Sequence, residues 1–400
     1  MKKSFYFCGQ IIPEKIMEEN FEELKSHISV AGNTFYNALL DGISGTDSEV
    51  YTSTLLPKKL CDLYDKKFDG KWKTFFEKRS EKFVFRIINN LTSSVKGIFK
   101  FNKAEKSSQK YVVFDVLRLG AAVGGILACN ILRIKKIGIV TDVPGYRIKT
   151  TEKEGFFKKF CDKFAQVLLK SFDCYVLLSE SMSEVIPLNG KPYTVIEGLY
   201  RISDYDKKED IDKYNEFTIM YAGSLMYRYG IMNLVNAVRA IEDEDIRLLV
   251  FGDGEAKEEI IDISEEDNRI CYKGSVSHGE ILCEERKASL LVNPRPVEDE
   301  YVKYSFPSKN MEYMASGTPV LLTNIPSLPE EYKEYVYLAS NGSEEELNKQ
   351  IISIKRSDDK ASVSKKSLLA RKFILENKNQ YVQAEKLVDF LNKCERINGK

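Results

Sequence analysis

Two successive series of short β-branched runs, each run followed by a helix-patterned stretch, constrain this chain more than any other feature. In the first series "SFYFCG" (4–9), "EVYTSTLL" (49–56), "KYVVFDVL" (110–117) and "KKIGIVTD" (135–142) read as strands. The Gly-rich stretch 119–133 reads as a buried helix between the last two, which completes a β-α-β unit. "VLLKSFDCYVLLSESMSEVI" adds a helix, a strand ending near Leu178 and a Ser-capped helix start, and "PYTVIEGLY" (192–200) closes this half. The second series runs through "FTIMYAGS", "IRLLVFGDGE", "RICYKGSV", "SLLVNPRP" and "TPVLLTNIP", with helices such as "GIMNLVNAVRAI" and "HGEILCEERKA" between them. Strands alternating with helices imply parallel sheets covered on both faces. The fold expected is therefore α/β, with two Rossmann-like domains whose parallel sheets face each other across a cleft.

The length supports two cores, since 400 residues exceed what one core usually serves. The domains expected are residues 1–200 and 217–375. Between them lies the polar, acidic linker "RISDYDKKEDIDKYNE" (201–216). Residues 376–400 read as a terminal amphipathic helix, free to pack back on the first domain, with Val382, Leu387, Phe390 and Leu391 as its apolar positions. The preceding "SIKRSDDKASVSKKS" reads as a charged connection. Ligands of such sheets bind beyond the carboxyl ends of the strands. The loops after Ser224, Gly252, Gly274, Asn293 and Asp142 are then the ones to line the site.

Lys+Arg and Asp+Glu balance at 60 each, which argues against a nucleic-acid partner. The eight cysteines stand singly and form no C-x-x-C pair, as expected of reduced thiols in a cytoplasmic protein. With only His27 and His278 there is no histidine metal cluster. The N-terminus shows no secretory signal, and the longest apolar run, "LGAAVGGILACNIL", is too short to span a bilayer.

Several motifs sit at strand ends. In "MYAGSLMYRYGIMNLVNAV" a strand ends at Ala222-Gly223-Ser224 and Gly230 lets a helix start close by. Such a turn exposes N–H groups that suit phosphate, although an ordinary β-α connection reads the same way. "VFGDGEA" lacks the third glycine of a dinucleotide fingerprint. In "LLVNPRP", Arg295 stands just past a strand, where it could fork onto phosphate oxygens or simply face solvent. In "YSFPSKNMEYMASGTPV", Pro307 suits a first helical turn and Ser305 is the nearest cap. The N–H groups near Ser308, Lys309 and Asn310 then form an anion site to which Lys309 adds charge. Glu312, about a turn further in, either stabilises the helix start or accepts bonds from ribose hydroxyls.

This order of motifs resembles the family-four retaining glycosyltransferases of the GT-B fold. "YAGSL…YGI…L", "FGDGE", "YKGSVSH", "LLVNPRP" and "FPSKNMEYMASGTPVL" are similar to the donor half, and "GIVTDVP" and "VLLSESM…VIEG" to the acceptor half. The resemblance covers about residues 1–340 and implies transfer of a sugar from a nucleotide-diphosphate sugar to an acceptor hydroxyl with retained configuration. It further implies no metal or other cofactor, and a role in polysaccharide or glycoconjugate synthesis. It places Glu312 on the ribose, Gly274 and Val276 near the base, Ser308 and Lys309 near the diphosphate, and Gly32 and Asn33 of "SVAGNTFYNALL" beside donor or acceptor, while Gly223 and Ser224 are donor-binding candidates through their turn.

The chain departs from the family pattern where the family carries an arginine and a lysine five apart. Here those places are Ser224 and Tyr229, and Tyr304 stands where an acid is usual. Arg228, Arg295 and Lys309 are the substitutes to expect, with Arg295 and Lys309 carrying most of the load. Asp142, in "IVTDVPGY", reads equally as a residue orienting donor or acceptor and as a turn-forming aspartate. Residues 58–110 hold fifteen Lys/Arg against six acids. The stretch "KKFDGKWKTFFEKRSEKFVFR" interleaves these cations with aromatics, which suits peripheral contact with anionic lipid at the inner face of the cell membrane and a lipid-linked or glycan acceptor. A solvated helix face over a core reads the same way. The rival functions are a catalytically silent GT-B-like subunit and a nucleotide-sugar epimerase.

Overall fold

The computed structural model describes residues 2–106, 109–144, 156–202 and 211–398. Residues 203–210 of the expected linker lie outside these. The chain divides into two compact units, one built from Met1–Leu199 and Gln380–Lys400, the other from Tyr200–Asn379.

The sheet of the first unit has seven parallel strands in the order β3-β2-β1-β4-β5-β6-β7. They are β1 Lys3–Cys8, β2 Ser48–Leu56, β3 Lys73–Lys78, β4 Gln109–Asp115, β5 Lys135–Val140, β6 Cys174–Leu177 and β7 Tyr193–Val195. Every residue of β1 is buried, as befits a central strand. Helix Gln380–Asn398 belongs to this unit, and its Ala384, Leu387 and Leu391 join Phe5, Phe7, Tyr36 and Val113 in one core. Each leucine buried there contributes about 1.5–3 kcal/mol. Gly42 is required by this packing, since a Cβ on it would lie 2.0 Å from the Gln380 carbonyl oxygen.

The second sheet has six parallel strands in the order β10-β9-β8-β11-β12-β13. They are β8 Phe217–Ala222, β9 Ile246–Phe251, β10 Ile270–Gly274, β11 Leu290–Asn293, β12 Val320–Thr323 and β13 Tyr337–Ala339. Its two faces feed separate cores. One holds Ile219, Val235, Val250 and Ile260, the other Met220, Phe251, Met311 and Tyr332.

Four expectations need correction. The charged connection 353–367 is interrupted by a helix, Lys360–Asn377, whose start is capped by Asp359 accepting from the Ser362 N–H at 2.8 Å. Its buried Ser367, Ala370, Phe373 and Ile374 repeat at helical spacing, and the terminal helix proper begins only at Gln380. "SESMS" is a short 3-10 turn in which the Ser179 side chain makes no cap bond. The helix Leu119–Leu132 is buried on one face only, with Leu127 and Ile131 exposed. The basic segment is not one helix face but a helix (Lys58–Lys67), the edge strand β3 and the start of a second helix (Phe83–Ala104). Its Trp72 is buried and Phe68 packs edge-on against Phe76. Lys71, Lys73 and Lys78 pair with Asp41, Glu49 and Asp62.

Candidate active site

Strands β8 and β11 are neighbours at which the order of the second sheet reverses, the topological switch point where ligands of open α/β sheets bind. Their carboxyl ends carry Gly223-Ser224 and Pro294-Arg295. Tight backbone packing shapes this edge. Gly252 (φ 134°) lies so close to Gly223 that an added Cβ would sit 1.8 Å from the Gly223 oxygen. Gly230 (φ 78°) starts the helix Ile231–Arg239, and a Cβ there would meet the Pro294 oxygen at 2.1 Å. Only glycine tolerates both the conformation and the approach.

The helix Lys309–Ser316 is fixed to the same edge by two polar anchors. The buried Tyr313 hydroxyl accepts from the Ala222 N–H at 2.8 Å, and Asn293 donates to Asn310 Oδ1 at 2.6 Å. The helix start differs in detail from expectation. Ser305 caps nothing, because its hydroxyl accepts from Arg295 Nη1 at 3.3 Å. The Asn310 N–H is bonded to the Pro307 oxygen at 3.0 Å, while the N–H groups of Ser308 and Lys309 have no partner among the described residues.

Four ionisable side chains gather where this helix meets the helix His278–Lys287. Lys309 Nζ lies 2.6 Å from Glu312 Oε2 and 3.7 Å from Glu285 Oε1. His278 Nε2 lies 3.3 Å from the same Glu312 oxygen. Burial alone would raise the Glu312 carboxyl, but Lys309 and His278 outweigh it and hold it well below the ordinary carboxylate range. The bond to Glu312 in turn raises His278. Glu285 behaves oppositely. It is completely buried, neither of its oxygens has a hydrogen-bond partner, and burial pushes it up to about 8. The Oε1 atom of Glu312 has no partner among the described residues, which leaves a carboxylate oxygen free to accept from a ligand.

A second cluster lies at the switch point itself. Arg295 stacks over the rings of Tyr229 and Tyr301 at 4.6 and 5.6 Å, and Arg228 over Tyr229 at 5.1 Å. The Nε atoms of both arginines are buried without a partner, and neither arginine pairs with a carboxylate among the described residues. Tyr229, standing where the resemblance expects a lysine, thus carries a guanidinium on its ring. Lys309, by contrast, is held between the carboxyl groups of Glu312 and Glu285, so it is not the free cation expected from the sequence.

Residues 203–367 match the family model described as glycosyl transferases group 1. The sequence matches no curated protein. Among solved structures the chain is similar to sucrose-phosphate synthase from Thermosynechococcus elongatus, at 14% identity and TM-score 0.67, covering 98% of this chain and 99% of that one. It is also similar to TarM (13% identity, TM-score 0.66, 98% and 99% covered). Anabaena HepE in complex with UDP aligns at 12% identity and TM-score 0.63, covering 98% and 100%.

The chain has the two-domain GT-B fold, and its residues 203–367 are similar to glycosyl transferases of group 1.

The remaining sequence candidates fall in both units. Gly274 (φ 72°) ends β10 with open space beyond its Cα, and Val276 packs against the Met220–Phe251 core. Tyr304 is buried. Asp142 is exposed in the first unit, two residues beyond β5. Gly32 and Asn33 do not form a loop before a helix. They lie in the first turn of Val30–Gly45, and the Asn33 amide is taken up by the Ile12 N–H (2.8 Å) and oxygen (3.0 Å). The linker residues Lys213 and Tyr214 are docked, with Lys213 bonding the Ala288 oxygen and Tyr214 bonding Glu284. Sequence reasoning missed His278 and Glu285 as site residues. Their separation of seven, two helical turns on one face, was the available signal.

Proposed function

We propose that this chain transfers a sugar from a nucleotide-diphosphate sugar to an acceptor hydroxyl with retention of anomeric configuration, without a metal, in polysaccharide or glycoconjugate synthesis. The observation that carries this reading is the pair Arg228 and Arg295, uncompensated at the switch point beside the Glu312 helix. Arginine forks match phosphate oxygens, and a cation placed where the leaving diphosphate gains charge lowers the barrier. The free Oε1 of Glu312 supports recognition of ribose hydroxyls, and the unpartnered Ser308 and Lys309 N–H groups support a second contact to phosphate. Gly223 and Ser224 line the same edge. Solved structures of HepE hold UDP and UDP-glucose, which makes uridine donors the first to try. The test is transfer by the chain alone, with the anomeric configuration of the product read by NMR. Sugar transfer with retention supports the proposal. Donor binding without transfer supports the silent-subunit reading, and conversion of the donor to its epimer supports an epimerase.

The acceptor in this proposal is lipid-linked or a glycan, met at the inner face of the cell membrane. No helix among the described residues is long and apolar enough to cross a membrane. The support for peripheral contact is the exposed apolar set Phe85, Ile88, Leu127, Ile131 and Val167 on three helices of the first unit. Sedimentation with anionic vesicles at low salt tests it, and a chain that stays in the supernatant ends this part of the proposal.

A further inference from the structure

Glu285 has no place in the function just described, yet it is the most costly side chain in the site. An ionised carboxylate buried without hydrogen bonds gives up its hydration without replacement. A protonated one leaves its O–H unbonded. Neither oxygen of Glu285 has a hydrogen-bond partner, and its ion pair with Lys309 Nζ is long, at 3.7 Å. That ammonium is instead bonded to Glu312 Oε2, the oxygen that His278 also approaches. A ribose diol that chelates Glu312 through both carboxylate oxygens competes with Lys309 for Oε2. A displaced Lys309 has one other carboxylate within reach, and it is Glu285.

We propose that Glu285 is a positioning residue that receives the Lys309 ammonium when Glu312 takes up a ribose diol, and that it sheds its proton to solvent in doing so. This rests on the nucleotide-sugar reading of the site. The balance is simple. Lys309 stays charged and moves from one carboxylate to the other, Glu285 goes from carboxylic acid to carboxylate, and one proton leaves for the buffer. The groups facing Glu285 are Lys309, Glu312 and Tyr313 from the helix Lys309–Ser316 and His278 from its own helix. Of these, His278 is a second proton source, because it loses its Glu312 partner on the same event. The backbone around Glu285 is fixed throughout, since its carbonyl accepts from the Thr318 hydroxyl at 2.7 Å and Thr318 is held by Lys213 at 2.8 Å. The exchange therefore needs only the lysine side chain to move.

Calorimetry in buffers of different ionisation enthalpy counts the protons released on binding. The probes are a panel of nucleotide-diphosphate sugars, whose diphosphate diesters do not themselves titrate near neutral pH. The wild type and His278→Gln are expected to release protons on binding at neutral pH, with the release fading above about 8, where Glu285 is already ionised. Glu285→Gln is expected to bind more weakly and to lack the His278-independent share of the release. Proton release unchanged in Glu285→Gln, or absent from His278→Gln, overturns the relay. If Glu285→Gln does not fold, His278→Gln alone decides through the presence and pH dependence of its release. Binding by no member of the panel overturns the nucleotide-sugar reading itself, and the relay with it.

Discussion

Two charged clusters share the carboxyl edge of the second sheet, and they manage charge in opposite ways. Around Glu312 every charge is answered. Lys309 bridges Glu312 and Glu285, His278 leans on Glu312, and burial pushes the Glu285 carboxyl up to about 8. Around Tyr229 two guanidinium groups stack on aromatic rings and meet no carboxylate among the described residues. A balanced cluster suits a neutral ligand group that needs directed hydrogen bonds, such as a diol. An uncompensated cationic cluster suits an anion. The aromatic rings explain how the arginines stay near each other before an anion arrives, since cation–π contact contributes about 0.5–2 kcal/mol without neutralising charge.

The largest test of this contrast removes the cationic cluster. Arg228→Ala combined with Arg295→Ala should lower the turnover of sugar transfer by at least about a hundredfold, with the circular-dichroism spectrum unchanged. Turnover near the wild-type level would place the anion elsewhere. Next in size, Glu312→Gln should lose affinity for a nucleoside diphosphate by about 1.5–3 kcal/mol. In a titration it should no longer distinguish that ligand from its 2′-deoxy analogue. A variant that still discriminates would show that the diol is read by another group.

Two smaller effects bear on the scaffold. Tyr313→Phe removes the hydroxyl that anchors the Glu312 helix to Ala222 and leaves a buried N–H unsatisfied. Denaturant unfolding should report a loss of about 1–3 kcal/mol. An unchanged midpoint would mean that Asn293 and Asn310 hold the helix without it. Last, the two glutamates should give stability opposite pH slopes. Glu285 is raised on folding, so the folded chain keeps a proton that the unfolded chain sheds. Its contribution falls as pH climbs from the ordinary carboxylate range to about 8. Glu312 is lowered on folding, so its contribution is present above that range and is lost as pH falls through its folded value. Melting temperatures of Glu285→Gln across this window should be flatter than wild type on the alkaline side. Parallel curves would show that Glu285 does not titrate there.

The fold was legible because most strands of both series, such as β1, β8 and β12, are buried and rich in apolar residues. The exceptions are physical. Strand β3, "KTFFEK", is an edge strand with lysines at both ends and no fully buried residue, so its composition imitates a surface helix. Glu312 was legible through its place after "FPSK", and Arg295 through its place past "LLVN". What the chain alone does not reveal is the stacking of Arg228 and Arg295 on one tyrosine, because that depends on β8 and β11 being neighbours across 67 intervening residues. Glu285 was hidden for a similar reason. Of Glu280, Glu284 and Glu285 on one helix, only the spacing of seven from His278 marks the glutamate that the helix Lys309–Ser316 covers. Asn33 shows the reverse error, a polar residue in a suggestive motif whose amide the backbone of Ile12 already occupies.

The most direct measurement compares a nucleoside diphosphate with the corresponding nucleoside in binding to the wild type and to the Arg228→Ala, Arg295→Ala double variant. If the two clusters divide the ligand as described, the wild type binds the diphosphate much more tightly than the nucleoside. The double variant loses that preference while keeping the nucleoside affinity supplied by Glu312. Equal preference for the diphosphate in both proteins would contradict the assignment of the arginine pair.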